Sequence, residues 1–185
     1  MKKQIIKMSM LAMMVLGGVN AAHAATASTV TVSGTVNAVT CQLSLDTVVL
    51  DLGTAMPSDF TAANSIIKEK TVTAKLTNCG TGTAGANAGI QVSGQVISGA
   101  TKNDVFGSDA TATWGFGVVK DGGAKTDLLA NGAMLESFAA NTVATNLEGK
   151  EYKADIGLVA PVIASNAVKS SPIQTAPIQF SFVNP

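Results

Sequence analysis

Short stretches of alternating apolar and polar residues recur along this chain of 185 residues. The clearest stretch follows Thr29, where Val30, Val32 and Val36 are separated by Thr, Ser and Gly. A two-residue repeat places successive side chains on opposite faces of a β-strand, so the pattern predicts strands that are half buried against a core. No stretch of the sequence has the sustained 3.6-residue repeat of a long helix. The sequence therefore predicts an all-β fold.

Six further segments have the same apolar character, and turn-forming residues separate them. The strongest hairpin signals are Lys-Asp-Gly-Gly at 120–123 and Asn-Gly at 131–132. Seven or so short strands in about 160 residues indicate a β-sandwich. After the segment at 29–36, the predicted strands lie at 48–52, 71–76, 89–97, 114–119, 152–159 and 178–183.

The first residues have the three parts of a secretory signal peptide. Two Lys follow Met1, an uncharged apolar run of 12 residues covers 8–19, and Ala22-His23-Ala24 is a small-residue cleavage site. The apolar run is too short for a membrane-spanning helix, which needs about 20 residues. We expect residues 1–24 to be removed on export, which leaves 161 residues with a net charge of −3.

Composition argues against several classes of function. The 12 basic residues are all Lys, and 12 acids balance them, whereas a nucleic-acid binder needs a basic face and bidentate Arg. Cleavage removes His23, the single histidine, so no Ser-His-Asp triad, Cys-His pair or usual zinc site can form. The acids are scattered without a paired motif, which favours solvated surface positions over a glycosidase pair. We therefore expect no enzyme activity, no metal and no cofactor.

Two cysteines, Cys41 and Cys79, lie 38 residues apart. An even count in an exported chain favours one disulfide over two free thiols, because the compartments outside the cytoplasm are oxidising. The spacing is not CxxC, so the predicted bridge is structural and not redox-active. The single tryptophan, Trp114, lies inside a predicted strand, where a core position is favoured over a ligand-stacking one.

In order, spacing and length these features resemble the pilin subunits of Gram-negative chaperone–usher fimbriae, and among them the type 1 fimbrial major pilins. The resemblance rests on the alternating segment that ends at Cys41, the Leu-Asp-Leu-Gly element at 50–53, the Leu-Thr-Asn-Cys run that ends at Cys79 and the alternating C-terminal residues. It extends over almost the whole mature chain. Two positions depart from the family pattern: Ser28 replaces a common Gly, and Pro185 ends a chain that lacks the usual aromatic penultimate residue.

The resemblance implies an immunoglobulin-like β-sandwich that lacks its last strand and is completed by donor-strand exchange. It divides the chain into a signal peptide at 1–24, an N-terminal donor-strand extension at 25–35 and a pilin domain at 36–185. The donor strand is implied to contain Ser28, Val30, Val32 and Gly34. The alternative is that this segment is the subunit's own first strand. The C-terminal strand that pairs with the chaperone is implied to contain Ile178, Phe180, Phe182 and Pro185.

The partners implied by the resemblance are a periplasmic chaperone, an outer-membrane usher and neighbouring pilin subunits, with a host-surface receptor left open. The implied location is the fimbrium on the cell surface, reached through the periplasm. The implied function is that of a structural subunit of a fimbria used in cell adhesion. Two alternatives are a single-domain tip or adhesin subunit that binds a receptor or glycan, and a secreted carbohydrate-active enzyme that uses some of the scattered carboxylates.

Overall fold

The computed structural model describes residues 41–163, 168–169 and 174–184. These residues form two short 3₁₀ turns, at Pro57–Asp59 and Ala144–Leu147, and seven strands. None of the helical segments in this part of the chain is long and apolar enough to cross a membrane. The segments predicted as signal peptide (1–24) and donor extension (25–35) lie outside the described residues. The strands are β1 (Gln42–Leu45), β2 (Ile67–Thr77), β3 (Gly89–Gly94), β4 (Gly115–Lys120), β5 (Met134–Ser137), β6 (Glu151–Val159) and β7 (Ile178–Val183).

The seven strands build two sheets that enclose one main core. One sheet has the order β1-β2-β6-β4 and the other β5-β3-β7, and all neighbouring strands are antiparallel. Val72 and Ile156 project inward from the first sheet, and Ile90 and Val92 project inward from the second. Because successive residues of a strand face opposite sides, alternate apolar positions are enough to build this core. The predicted all-β sandwich is confirmed.

A second, smaller apolar cluster covers the outer face of the four-stranded sheet. Val119 and Val159 point away from the main core and pack with Ile66. Gly117 makes this close approach possible, since a Cβ there would lie 2.8 Å from side-chain atoms of both Ile66 and Leu128. Glycine at this strand position therefore lets loop residues pack directly onto the sheet.

The predicted disulfide is confirmed: Cys41 and Cys79 are bonded, which links the residue before β1 to the turn that follows β2. The carboxylate of Glu148 accepts hydrogen bonds from the backbone N–H groups of Asn78 (3.2 Å) and Cys79 (2.8 Å). Asn78 has a φ of 50°, in the left-handed region. The side chain of Glu148 thus satisfies two backbone donors that have left the β-ladder, and it supports the turn that carries Cys79.

The strand predicted at 48–52 is wrong. The chain leaves the β-ladder after Leu45. In a continued ladder the backbone carbonyl of Asp46 would accept the hydrogen bond from Thr73 N–H, but here the side-chain Oδ1 atom of Asp46 accepts it (3.0 Å). Further on, Asp51 Oδ1 accepts from Gly53 N–H (2.8 Å), and Gly53 has a φ of 72°. The Asp46 side chain thus replaces a backbone acceptor opposite β2, and the Asp51 side chain caps the turn at Gly53, which is a common way of ending a strand.

The turn at 120–123 is present, but it does not make a hairpin. Gly123 N–H donates to the carbonyl of Lys120 (2.8 Å), and Gly122 has a φ of 74°. The next strand, β5, lies in the other sheet and pairs with β3. Strands β1 and β5 were missed in the sequence because each has only four residues, too few to display a clear repeat.

Candidate functional site

A cleft of about 840 Å³ opens between the two sheets at the edge where β1 and β7 lie. One wall contains Ile178 and Phe180 of β7, and the other is the segment 47–55 that follows β1. Core residues of β2 and β6, among them Val72 and Ile156, lie at its floor. The cleft is therefore an opening into the main core of the sandwich.

Along this cleft, one edge of β7 pairs with none of the strands in the described part of the chain. Along its other edge, β7 pairs with β3 through six residues. Its side chains alternate: Ile178, Phe180 and Phe182 are half-buried, whereas Gln179 and Ser181 are exposed. In β3, by contrast, the inward-facing side chains are fully buried. An unpaired edge flanked by partly covered apolar side chains is a template for one more strand.

Trp114 stands at one end of the cleft, where it packs against the core and lines the opening. Its ring meets that of Phe116 edge to face, with the centroids 6.2 Å apart. One side of the Trp114 ring therefore packs against the core, as predicted, and the other side forms part of the cleft wall. Loop residues Val168 and Ala176 extend the wall at this end. The sequence pattern could not reveal these loop contributions, because they depend on where the loop folds back.

The cleft carries very little charge. Asp51 and Lys169 are the charged side chains among the described residues that line it. The carbonyl of Asp51 accepts a hydrogen bond from Lys70 Nζ, and its carboxylate bonds to Gly53 N–H. A long, apolar and nearly uncharged opening beside a free strand edge suits an extended peptide better than an ionic ligand.

A second, smaller crevice of about 240 Å³ lies near the opposite end of β6, beside Tyr152. Burial raises the pKa of the Tyr152 hydroxyl, and the nearby carboxylate of Glu136 raises it further. Lys120 forms an ion pair with Glu136, and the Tyr152 ring lies 5.5 Å from that of Phe138. In the described ranges, no group of three or more His, Cys, Asp or Glu side chains is placed to hold a metal ion.

The predicted site residues are distributed unevenly over the structure. Ile178 and Phe180 line the cleft, and Phe182 lies further along β7, where its ring stacks on Phe138 with the centroids 6.1 Å apart. Their role in pairing with a chaperone stays a prediction. The other predicted site residues lie outside the described part of the chain: Ser28, Val30, Val32, Gly34 and Pro185.

These features define a class of fold: an immunoglobulin-like sandwich of two antiparallel sheets with an apolar cleft open along one edge. No protein-family profile matches the sequence, and no curated protein matches it. The fold is similar to that in the crystal structure of the P pilus rod subunit PapA, with a TM-score of 0.52 at 16% sequence identity. The match covers 78% of this chain and 99% of that one. This likeness shows the pilin type of sandwich fold.

Proposed function

We propose that this protein is a structural, non-enzymatic subunit of a chaperone–usher fimbria, and that its cleft accepts a β-strand from another polypeptide. The observation that carries the proposal is that no described strand pairs with the second edge of β7, which lies beside an apolar, nearly uncharged opening into the core. The fold it shares with a pilus rod subunit supports the same conclusion. A subunit built in this way is completed by strand addition from a neighbour.

The donor strand in this proposal is the segment 25–35 of a neighbouring subunit. That segment has no charged residue, and Val30 and Val32 alternate with Thr. Eleven extended residues span about 36 Å, whereas the six residues of β7 span about 20 Å, so the segment is long enough to cover the whole edge. Ser28 and Gly34 are the small positions of the strand, and Val30 and Val32 supply the apolar side chains that enter the cleft.

Before assembly, the same edge would be covered by a strand of a periplasmic chaperone. The contact would be made by the C-terminal strand with Ile178, Phe180, Phe182 and Pro185. In this proposal residues 1–24 direct export, an outer-membrane usher receives the subunit, and the pilin domain 36–185 becomes part of a surface fibre that serves adhesion. The order of elements in the sequence resembles that of the type 1 fimbrial major pilins, and we propose that the subunit is of this kind.

The proposal is tested by closing the cleft within one chain. The mature protein is compared with a version in which its own segment 25–36 is fused after Pro185 through a flexible linker, and both are melted while circular dichroism is recorded. We expect the fused chain to unfold at a higher temperature and to aggregate less, because the added strand covers the exposed edge. A fusion of the same residues in shuffled order is the control. Equal melting of all three chains would mean that the cleft does not accept this strand.

A further inference from the structure

Two adjacent valines at the edge of the cleft are almost fully exposed. Val48 is 89% exposed and Val49 is 84% exposed, and both belong to the cleft wall. We call this pair the valine rim. The chain on either side of it is fixed, since Asp46 bonds to Thr73 and the carbonyl of Asp51 accepts from Lys70 Nζ. The rim is therefore held outward and is not poised to fold into the core.

The described chain begins at the far end of the sandwich from the open part of the cleft. Gln42 pairs with Thr77, and Cys41 is bonded to Cys79, which defines what we call the disulfide end. The cleft end is defined by Trp114, Leu158 and Ile178, all of which line the opening. Since β1 runs from the disulfide end toward the cleft end, the described chain begins at Cys41 at the disulfide end.

The length of the connection limits how far apart two joined subunits can be. If 25–35 of one copy occupies the cleft of another, only residues 36–40 separate that strand from Cys41. The six Cα–Cα steps from Thr35 to Cys41 span at most about 22 Å. The disulfide end of the donating copy must therefore lie within about 22 Å of the point where its strand leaves the cleft.

The direction of the donated strand determines where that point lies. All strand pairs in the described sandwich are antiparallel, and antiparallel pairing is slightly more stable per residue than parallel pairing. A strand antiparallel to β7 ends near Ile178, at the cleft end, and the valine rim lies on the other wall of the same cleft. We infer that the valine rim is a second contact, covered by the disulfide end of the copy that donates the strand. This inference rests on the proposed function, and it adds a contact between folded bodies to the strand contact.

The test separates the two contacts by offering the cleft either a bare strand or a whole subunit. The acceptor is the mature chain with Val30→Asp and Val32→Asp, which disable its own donor segment. One partner is a synthetic peptide of residues 25–36. The other is the mature chain whose cleft is filled by a fused C-terminal copy of that segment, so that it can only donate. Affinities for both partners are measured with and without Val48→Ser and Val49→Ser in the acceptor.

We expect the serine substitutions to weaken binding of the whole subunit by about tenfold or more, since two exposed valines lose an apolar contact. Peptide binding should weaken by clearly less than subunit binding, because Val48 and Val49 are 89% and 84% exposed at the edge of the cleft wall. An acceptor with Val48→Ile and Val49→Ile is the matched control and should keep its affinity for both partners.

Three other outcomes would each overturn the inference. An unchanged affinity for the whole subunit would mean that the rim stays exposed, as expected if the strand ran parallel to β7, and the proposed function would survive. Equal weakening for peptide and subunit would make the rim part of the strand site alone. If the acceptor with Val48 and Val49 intact bound neither partner, both the proposed function and this inference would be wrong.

Discussion

Charge placed on one face of the donor segment should block assembly, whereas charge on the other face should not. In Val30→Asp/Val32→Asp both side chains that we expect to enter the cleft become carboxylates. Burial of one valine is worth about 1.5–3 kcal/mol, so the loss for two is about 3–6 kcal/mol, a factor of about 10² to 10⁴ in affinity. The desolvation of two charges adds to this loss, because Lys169 is the single cationic side chain among the described cleft residues.

The measurement is titration calorimetry of the two peptides, residues 25–36 with and without the aspartates, against one acceptor chain. The matched control is a peptide with Thr29→Asp and Thr31→Asp, which has the same added charge on the alternate face of the strand. We expect the control to bind within about tenfold of the natural peptide, since exposed charges cost little. If the two aspartate peptides lost affinity equally, the assignment of Val30 and Val32 to the inward face would be refuted.

Two further predictions concern the stability of the sandwich, measured by urea unfolding of the form closed by the fused segment. Removal of the disulfide by Cys41→Ser/Cys79→Ser should cost about 4 kcal/mol, because the bridge closes a loop between residues 38 apart; a loss below about 1 kcal/mol would contradict the loop-closure argument. The hydrogen bond from Thr73 N–H holds the pKa of the Asp46 carboxyl below its ordinary value of 3.8. The ionised carboxylate therefore stabilises the fold fully above pH 3.8, and this stabilisation is lost as the pH falls through the lower pKa of the folded state. Wild type should therefore exceed Asp46→Asn in stability by more at pH 7 than near pH 2, and a difference independent of pH would exclude this role for Asp46.

The sequence was sufficient to predict the long strands and the fold class. Strand β2 buries alternate residues from Val72 to Leu76, and in β7 half-buried residues alternate with exposed ones, which is the property that the two-residue repeat reports. Strand β6 is buried at four consecutive residues, 156–159, as a run of apolar residues covered on both faces. The disulfide was also predictable, because an even cysteine count in a chain with a predicted export signal leaves few alternatives. Both predictions depend on local pattern or composition, and neither requires information on which strands are neighbours in a sheet.

The errors arose where side chains compete with the β-ladder for backbone hydrogen bonds. The run at 48–52 has strand-forming residues, yet it lies between two aspartates whose carboxylates accept backbone hydrogen bonds. Asp46 accepts from Thr73 N–H, and Asp51 accepts from Gly53 N–H. Similarly, the turn after Lys120 is typical of a hairpin, but the following chain crosses to the other sheet. Both outcomes depend on tertiary partners, Thr73 in the first case and β3 in the second, which a single sequence does not place.

The cleft itself could be expected only through resemblance, because an absent strand leaves no pattern in the sequence that lacks it. The structure shows that residues around the cleft differ in how far their side chains are buried. Val72 is 3% exposed and belongs to the closed core, whereas Ile178 and Phe180 are only half-buried. Apolar surface that stays partly wet in the isolated subunit contributes little to its folding and gains most when a strand covers it. In the proposed function, the free energy of assembly is therefore concentrated in β7 and its neighbours at the cleft, whereas the stability of the isolated sandwich resides in β2, β3 and β6. The same sandwich can then be stable by itself and still gain stability when a strand is added.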